Sequence, residues 1–119
     1  MNIPELLEYQ SKGYRKVHSA RLNLMIHIIA VPFFVIGVLA LVFSLINLSS
    51  VNAIASILTI ILSFGAQGFG HSKEEFAAEP FSSPKQAVVR IFLEQFITFP
   101  KYVIFGGWYS AFKSSNKKP

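Results

Sequence analysis

No cysteine occurs among the 119 residues, which removes disulfides, iron–sulfur clusters, zinc–thiolate sites and cysteine nucleophiles together. Charge is scarce as well: Asp, Glu, Lys and Arg make up 14% of the chain, and none of them falls between Leu22 and Ser72. A soluble domain of this size needs more charge than that to cover its surface, and a hydrophobic content of 52% is too high for one. There is no G-x-S-x-G elbow, phosphate-cradling glycine loop, H-E-x-x-H pair or dinucleotide fingerprint. Gly65, Gly68 and Gly70 follow no strand, so nucleotide binding and nucleophilic hydrolysis have no support. Residues 1–21 hold no apolar core of signal-peptide length, and no cleaved leader is expected.

What is present is a long apolar stretch cut once, at the turn-forming run from Asn47 to Asn52. The pieces on either side, Ile28 to Ile46 and Ala53 to Phe69, approach the roughly 20 residues a helix needs to cross about 30 Å of hydrocarbon. The pattern predicts an all-α membrane protein, a single integral membrane domain over 1–119. Its parts are an N-terminal amphipathic helix (3–13), a transmembrane helical hairpin (20–47 and 51–71), a broken C-terminal helical segment (84–112) and a basic tail (113–119). Lys12, Arg15, Lys16 and Arg21 precede the hairpin, Lys73 and Lys85 follow it, and the loop between the spans has no basic residue. The positive-inside rule then places both termini in the cytoplasm, as in a bacterial inner membrane. The net charge of +5 is spread over these flanks, so membrane lipid with anionic head groups is the expected partner and nucleic acid is not.

Locally, Asn2-Ile3-Pro4-Glu5 reads as a capped helix start and Gly13 as its end, giving a short helix lying on the membrane surface. Pro32 is expected to kink the first span, and the small residues of Gly65–Gly70 to admit a close neighbour. Ser83-Pro84 starts another helix. A charge at mid-bilayer costs roughly 2.5–3.5 kcal/mol, so Arg90, Glu94 and Lys101 argue against a third clean span. Two helical pieces broken at Pro100 are expected instead, re-entrant or interfacial, or packed across the hairpin with their charges turned to the site; Arg90 and Glu94, four residues apart, can pair on one helix face. Trp108 and Tyr109 suit an interfacial anchor.

An antiparallel hairpin returns to the side it started from, so His27 at its entrance and His71 at its exit should meet. Asn23 and Gln67 each stand four residues before one of these histidines, on the same helix face. His18 is about half a turn out of phase with His27 on an unbroken helix. It joins them only if the chain bends, or if a neighbouring subunit of a homo-oligomer supplies it. Glu74 and Glu75, just after His71, are candidates to ligate a metal, to orient His71, or simply to be solvated. Imidazoles with a carboxylate and open positions suit ferrous iron. The alternatives are interfacial histidines on a non-catalytic hairpin that binds lipid or a partner, and a haem held by two of the imidazoles.

His18-Ser-Ala-Arg-Leu-Asn23-Leu-Met-Ile-His27 with Pro32 after it, and Gln67-Gly-Phe-Gly-His71 followed by an acid, resemble the small membrane family of iron-dependent 2-hydroxy fatty acid dioxygenases. Glu79-Pro-Phe, Arg90-Ile-Phe-Leu-Glu94-Gln and Phe99-Pro100 are similar to a bacterial branch of it, so the resemblance covers most of the chain. It implies an α-oxidation enzyme that shortens a long-chain 2-hydroxy fatty acid by one carbon with O2 and Fe(II), without 2-oxoglutarate. By the same resemblance His18, His27 and His71 are the metal ligands or their near neighbours. Asn23 and Gln67 match the family amides, and the catalytic acid is Glu74 or Glu75. A cation should hold the substrate carboxylate, with Arg21, Lys73 and Arg90 as candidates.

Overall fold

A computed structural model describes residues 2–115. Lys117 and Lys118, expected in the basic tail, lie outside the described residues. Within them the chain is all helical: α1 (Ile3–Val17), α2 (Arg21–Ile46), α3 (Ser50–His71), α4 (Pro84–Leu93), a π-helical turn (Glu94–Thr98), α5 (Phe99–Ile104) and α6 (Gly107–Ser115).

Asn2 and Glu5 close a reciprocal cap on α1: the Asn2 side chain accepts the Glu5 N–H at 2.9 Å and the Glu5 carboxylate accepts the Asn2 N–H at 3.1 Å. The helix does not stop at Gly13 but runs to Val17. A mid-helix glycine costs only about 1 kcal/mol relative to alanine, and Tyr14 just beyond it is buried against Val31 and Phe99. Nor does α1 present its apolar face only outward. Gln10 donates to the Arg90 carbonyl at 2.9 Å, and Arg15 to Ser110 and Ser114, so the C-terminal helices cover part of it.

α2 passes through Pro32 as one helix. A three-residue turn follows, in which Leu48 takes a left-handed φ of 53° and the Ser49 hydroxyl accepts the Asn52 N–H to start α3. The two helices then pack along their length at small residues. A Cβ at Gly37 would lie 2.9 Å from the Ile60 side chain, and one at Gly70 would overlap the Asn23 amide. Gly70→Ala must push Asn23 aside, and Asn23 is wholly buried. The expected loss is the 1–3 kcal/mol typical of overpacking, read as a lower melting temperature in detergent, whereas Gly65→Ala, which meets open space inside α3, should hold or slightly raise it.

Both α2 and α3 are long and apolar enough to cross a membrane, with mean hydropathies of 2.8 and 1.6 in their most apolar windows. Residues such as Ile29, Phe33, Ile36, Leu39, Ile54 and Leu58 stand exposed on their outer faces.

The C-terminal segment is interrupted elsewhere than expected. Pro100 sits inside α5, which follows the π-helical turn without a gap; the chain breaks at Gly106, where φ is +85°. Proline offers no N–H to the carbonyl one turn earlier, and the wider π-helical turn just before it absorbs that loss. Arg90 and Glu94 keep α-helical spacing, the Glu94 N–H donating to the Arg90 carbonyl, yet their side chains do not pair. Arg90 donates to the Glu79 and Pro80 carbonyls, not to Glu94. With α1, this segment forms a helical cap across the base of the hairpin, the end opposite the turn.

Candidate metal centre

Three elements bring the histidines together at that base. His18 caps the C-terminus of α1, His27 lies two turns into α2, and His71 ends α3. The chain bends at Ser19-Ala20 between α1 and α2, which brings His18 back into the cluster within one chain. The ring centroids are 4.8 Å (His18–His27), 4.6 Å (His18–His71) and 4.9 Å (His27–His71) apart, with interplanar angles of 85°, 79° and 88°. Three mutually perpendicular imidazoles can converge their lone pairs on one point. Stacked apolar rings would not.

A carboxylate joins them. Glu94 Oε2 lies 3.1 Å from His18 Nε2 and 3.7 Å from His27 Nε2, and one ligand atom from each of the three histidines and Glu94 falls within a 4.8 Å group. Tyr14 donates to the same Oε2 at 2.8 Å while its ring stacks on His18 at 3.7 Å.

The chemistry of the donor set bears on what this group could hold. His18 Nδ1 is 2.9 Å from the Tyr14 carbonyl and His27 Nδ1 3.1 Å from the Asn23 carbonyl. A carbonyl can only accept, so both Nδ1 atoms carry the proton and both Nε2 atoms are left as lone pairs in the neutral rings. Those Nε2 atoms and His71 Nδ1 are buried without a hydrogen-bond partner. Lone pairs facing a carboxylate repel it unless a cation lies between them. With metal–ligand bonds of about 2.1 Å, neighbouring ligand atoms stand roughly 3.0–3.4 Å apart, close to the His18–Glu94 separation. The residues therefore fit a metal ion with nitrogen and oxygen ligands, and the two backbone carbonyls and Tyr14 orient those ligands.

Burial pushes the Glu94 carboxyl up, but the hydrogen bond from Tyr14 and positive charge held among the imidazoles outweigh it and bring it down to about 2. Glu94 is an anion at any physiological pH. Burial, reinforced by that anion, pushes the Tyr14 phenol well above its ordinary value, so Tyr14 stays a donor.

The other residues expected at the site are placed elsewhere. The Glu74 carboxylate accepts the Ser19 N–H at 3.0 Å, the Ala20 N–H at 3.0–3.1 Å and the Asn23 amide at 2.7 Å, so it caps the start of α2. Glu75 is exposed. Gln67 does not face the imidazoles but pairs with Gln95. Asn23 touches the cluster only through its backbone carbonyl. Of the three cations, Arg90 serves the loop carbonyls and Lys73 lies over Phe69. Arg21 covers the Phe112 ring at 4.2 Å, with its Nε buried and unpartnered.

Glu94 is the member of the cluster that the sequence did not single out as a ligand, although the charges of its segment were one expected face of the site. Its signal was there: an acid and an amide, Glu94-Gln95, set in an otherwise apolar stretch, each too costly to bury without a partner. Comparisons with protein-family models, with curated proteins and with solved structures find no match to this chain.

Proposed function

We propose that this chain is an integral membrane oxidoreductase that holds Fe(II) through His18, His27, His71 and Glu94 and acts with O2 on long-chain 2-hydroxy fatty acids. The observation that carries it is the set of buried, unpartnered imidazole nitrogens aimed at one carboxylate. Three nitrogens and one oxygen match the donor preference of ferrous iron. The substrate class comes from the motif resemblance of the sequence.

Membrane insertion is supported by burial as well as length. Only 28% of the apolar window of α2 and 22% of that of α3 is buried, whereas a core helix of a soluble protein would be mostly covered. The base carries Lys12, Lys16 and Lys73 and the opposite turn carries no charge, which supports a metal centre at the cytoplasmic boundary. The haem alternative fits poorly, since imidazole centroids under 5 Å apart leave no slot for a porphyrin between two of them.

Bound iron would supply Lewis acidity toward the 2-hydroxy carboxylate and a one-electron partner for O2. The chain's own residues do the rest. His18, His27, His71 and Glu94 fix the ion, Tyr14 keeps Glu94 and His18 in place, and burial keeps bulk water out. Arg21, whose guanidinium is not committed to loop carbonyls as that of Arg90 is, receives the substrate carboxylate. In the overall reaction the C1–C2 bond breaks, C1 leaves as CO2 and C2 becomes the new carboxyl carbon. O2 accepts four electrons, one of its atoms ending in that carboxyl and the other in water. Purified protein reconstituted with Fe(II) should consume 2-hydroxypalmitate and O2 and yield pentadecanoate. Iron-loaded, folded protein that leaves 2-hydroxy acids untouched would refute the substrate.

A further inference from the structure

We infer that the Gln67–Gln95 amide pair is a positioning device, which holds the π-helical turn in the one register that delivers Glu94 to the three imidazoles. The inference rests on the metal-centre reading above and concerns how that centre is built.

Glu94 has little to hold it where it stands. In the metal-free protein its carboxylate faces imidazole lone pairs, and Tyr14 is the clear donor to it. The backbone beneath it is equally unusual. The Phe99 N–H returns to the Glu94 carbonyl, closing a turn one residue wider than an α-helical one, and such turns persist where something else fixes them. The residue next to Glu94 supplies that. Gln95 is wholly buried, and its amide and that of Gln67 each donate to the other's oxygen, at 2.7 and 2.9 Å.

The pair is anchored further. Gln67 also donates to the Ser63 hydroxyl at 3.2 Å, and Ser63 to the Ala30 carbonyl at 2.6 Å, so the π-helical turn is tied through α3 to α2, the helices that carry His71 and His27. On its other side Thr98 donates to Gln10 of α1 at 2.9 Å. A buried polar pair is an expensive way to fill a core, because a well-packed apolar pair would stabilise it as well. What two leucines would not provide is a fixed rotation of the turn. The amide ring sets it, because both hydrogen bonds fail together if Gln95 rotates.

The test uses Co(II) as the probe, since its visible absorption reports coordination number without requiring turnover. Wild type, Glu94→Gln, Gln95→Leu and the double variant Gln67→Leu/Gln95→Leu are loaded in lipid nanodiscs. The double variant leaves no amide unpaired and should fold; Gln67→Met/Gln95→Met, closer in length, makes the same comparison if the leucines do not pack. Gln95→Leu and the double variants should bind Co(II) about 10–100-fold more weakly, the usual loss when a ligand's support is removed, and should show the spectrum of Glu94→Gln. A folded double variant with the wild-type spectrum and affinity would overturn the positioning role and leave the metal centre standing. Wild type that binds no Co(II) would overturn the centre, and this inference with it.

Discussion

Replacing His27 with alanine is expected to abolish metal binding while leaving a folded protein. Wild type should purify with about one iron per chain, and His27→Ala with less than a tenth of that, because losing a ligand must cost more than the 10–100-fold lost when a ligand's hydrogen-bond partner is removed. The His27 ring is wholly buried, so its loss leaves a cavity and lowers the melting temperature, but that loss breaks no hydrogen bond to another element and the fold should survive. Its Nε2 is unpartnered, and its one hydrogen bond, from Nδ1, goes to the carbonyl of its own helix. Metal-dependent stabilisation separates this outcome from simple unfolding. A ligand at 100 times its dissociation constant adds about 2.7 kcal/mol, so wild type should melt several degrees higher with added Fe(II) under anaerobic conditions. His27→Ala should melt at one temperature with or without it. A variant that still gained stability from Fe(II) would show that the ion sits elsewhere.

The hairpin and the meeting of His27 with His71 were legible in the sequence because both follow from simple counting. A charge-free stretch of bilayer length, one polar interruption and a return to the starting side require no knowledge of packing. His18 was legible only conditionally, since helical phase excluded it from the His27 face unless the chain bent, and Ser19-Ala20 provides that bend. Glu94 was hidden for a different reason. At α-helical spacing it pairs naturally with Arg90, but Arg90 is taken by the loop carbonyls of Glu79 and Pro80 and Glu94 faces the imidazoles, tertiary contacts that the pattern of apolar residues does not encode. Gly13 and Pro100 misled in the same way: their local preferences are worth about 1 and 3 kcal/mol, less than the buried contacts of Tyr14, Gln95 and Phe99 on either side. Local punctuation predicts an end where tertiary contacts carry the helix through.

The roles of the two acids give the second large effect, since the motif resemblance points to Glu74 or Glu75 and the geometry to Glu94. Glu74 does the work of a helix cap. α2 begins at Ala20, which has no capping side chain, and the Glu74 carboxylate accepts the Ser19 and Ala20 N–H groups at the positive end of the helix dipole. Glu74→Ala should therefore cost stability, about 0.5–2 kcal/mol for the lost cap. The folded fraction should bind Fe(II) within about a factor of ten of wild type, a smaller loss than removing a ligand's own partner produces. Glu94→Ala should do the reverse. Iron content should fall at least tenfold, and with it the consumption of O2, while the melting temperature of the metal-free protein moves less than in Glu74→Ala. Melting curves and metal analysis of the two variants, side by side, decide the matter. If Glu74→Ala loses iron and Glu94→Ala keeps it, the carboxylate ligand has been misassigned. The carboxylate 3.1 Å from His18 Nε2 would then be a counter-charge to a protonated imidazole, with Glu74 moving onto the metal when it binds.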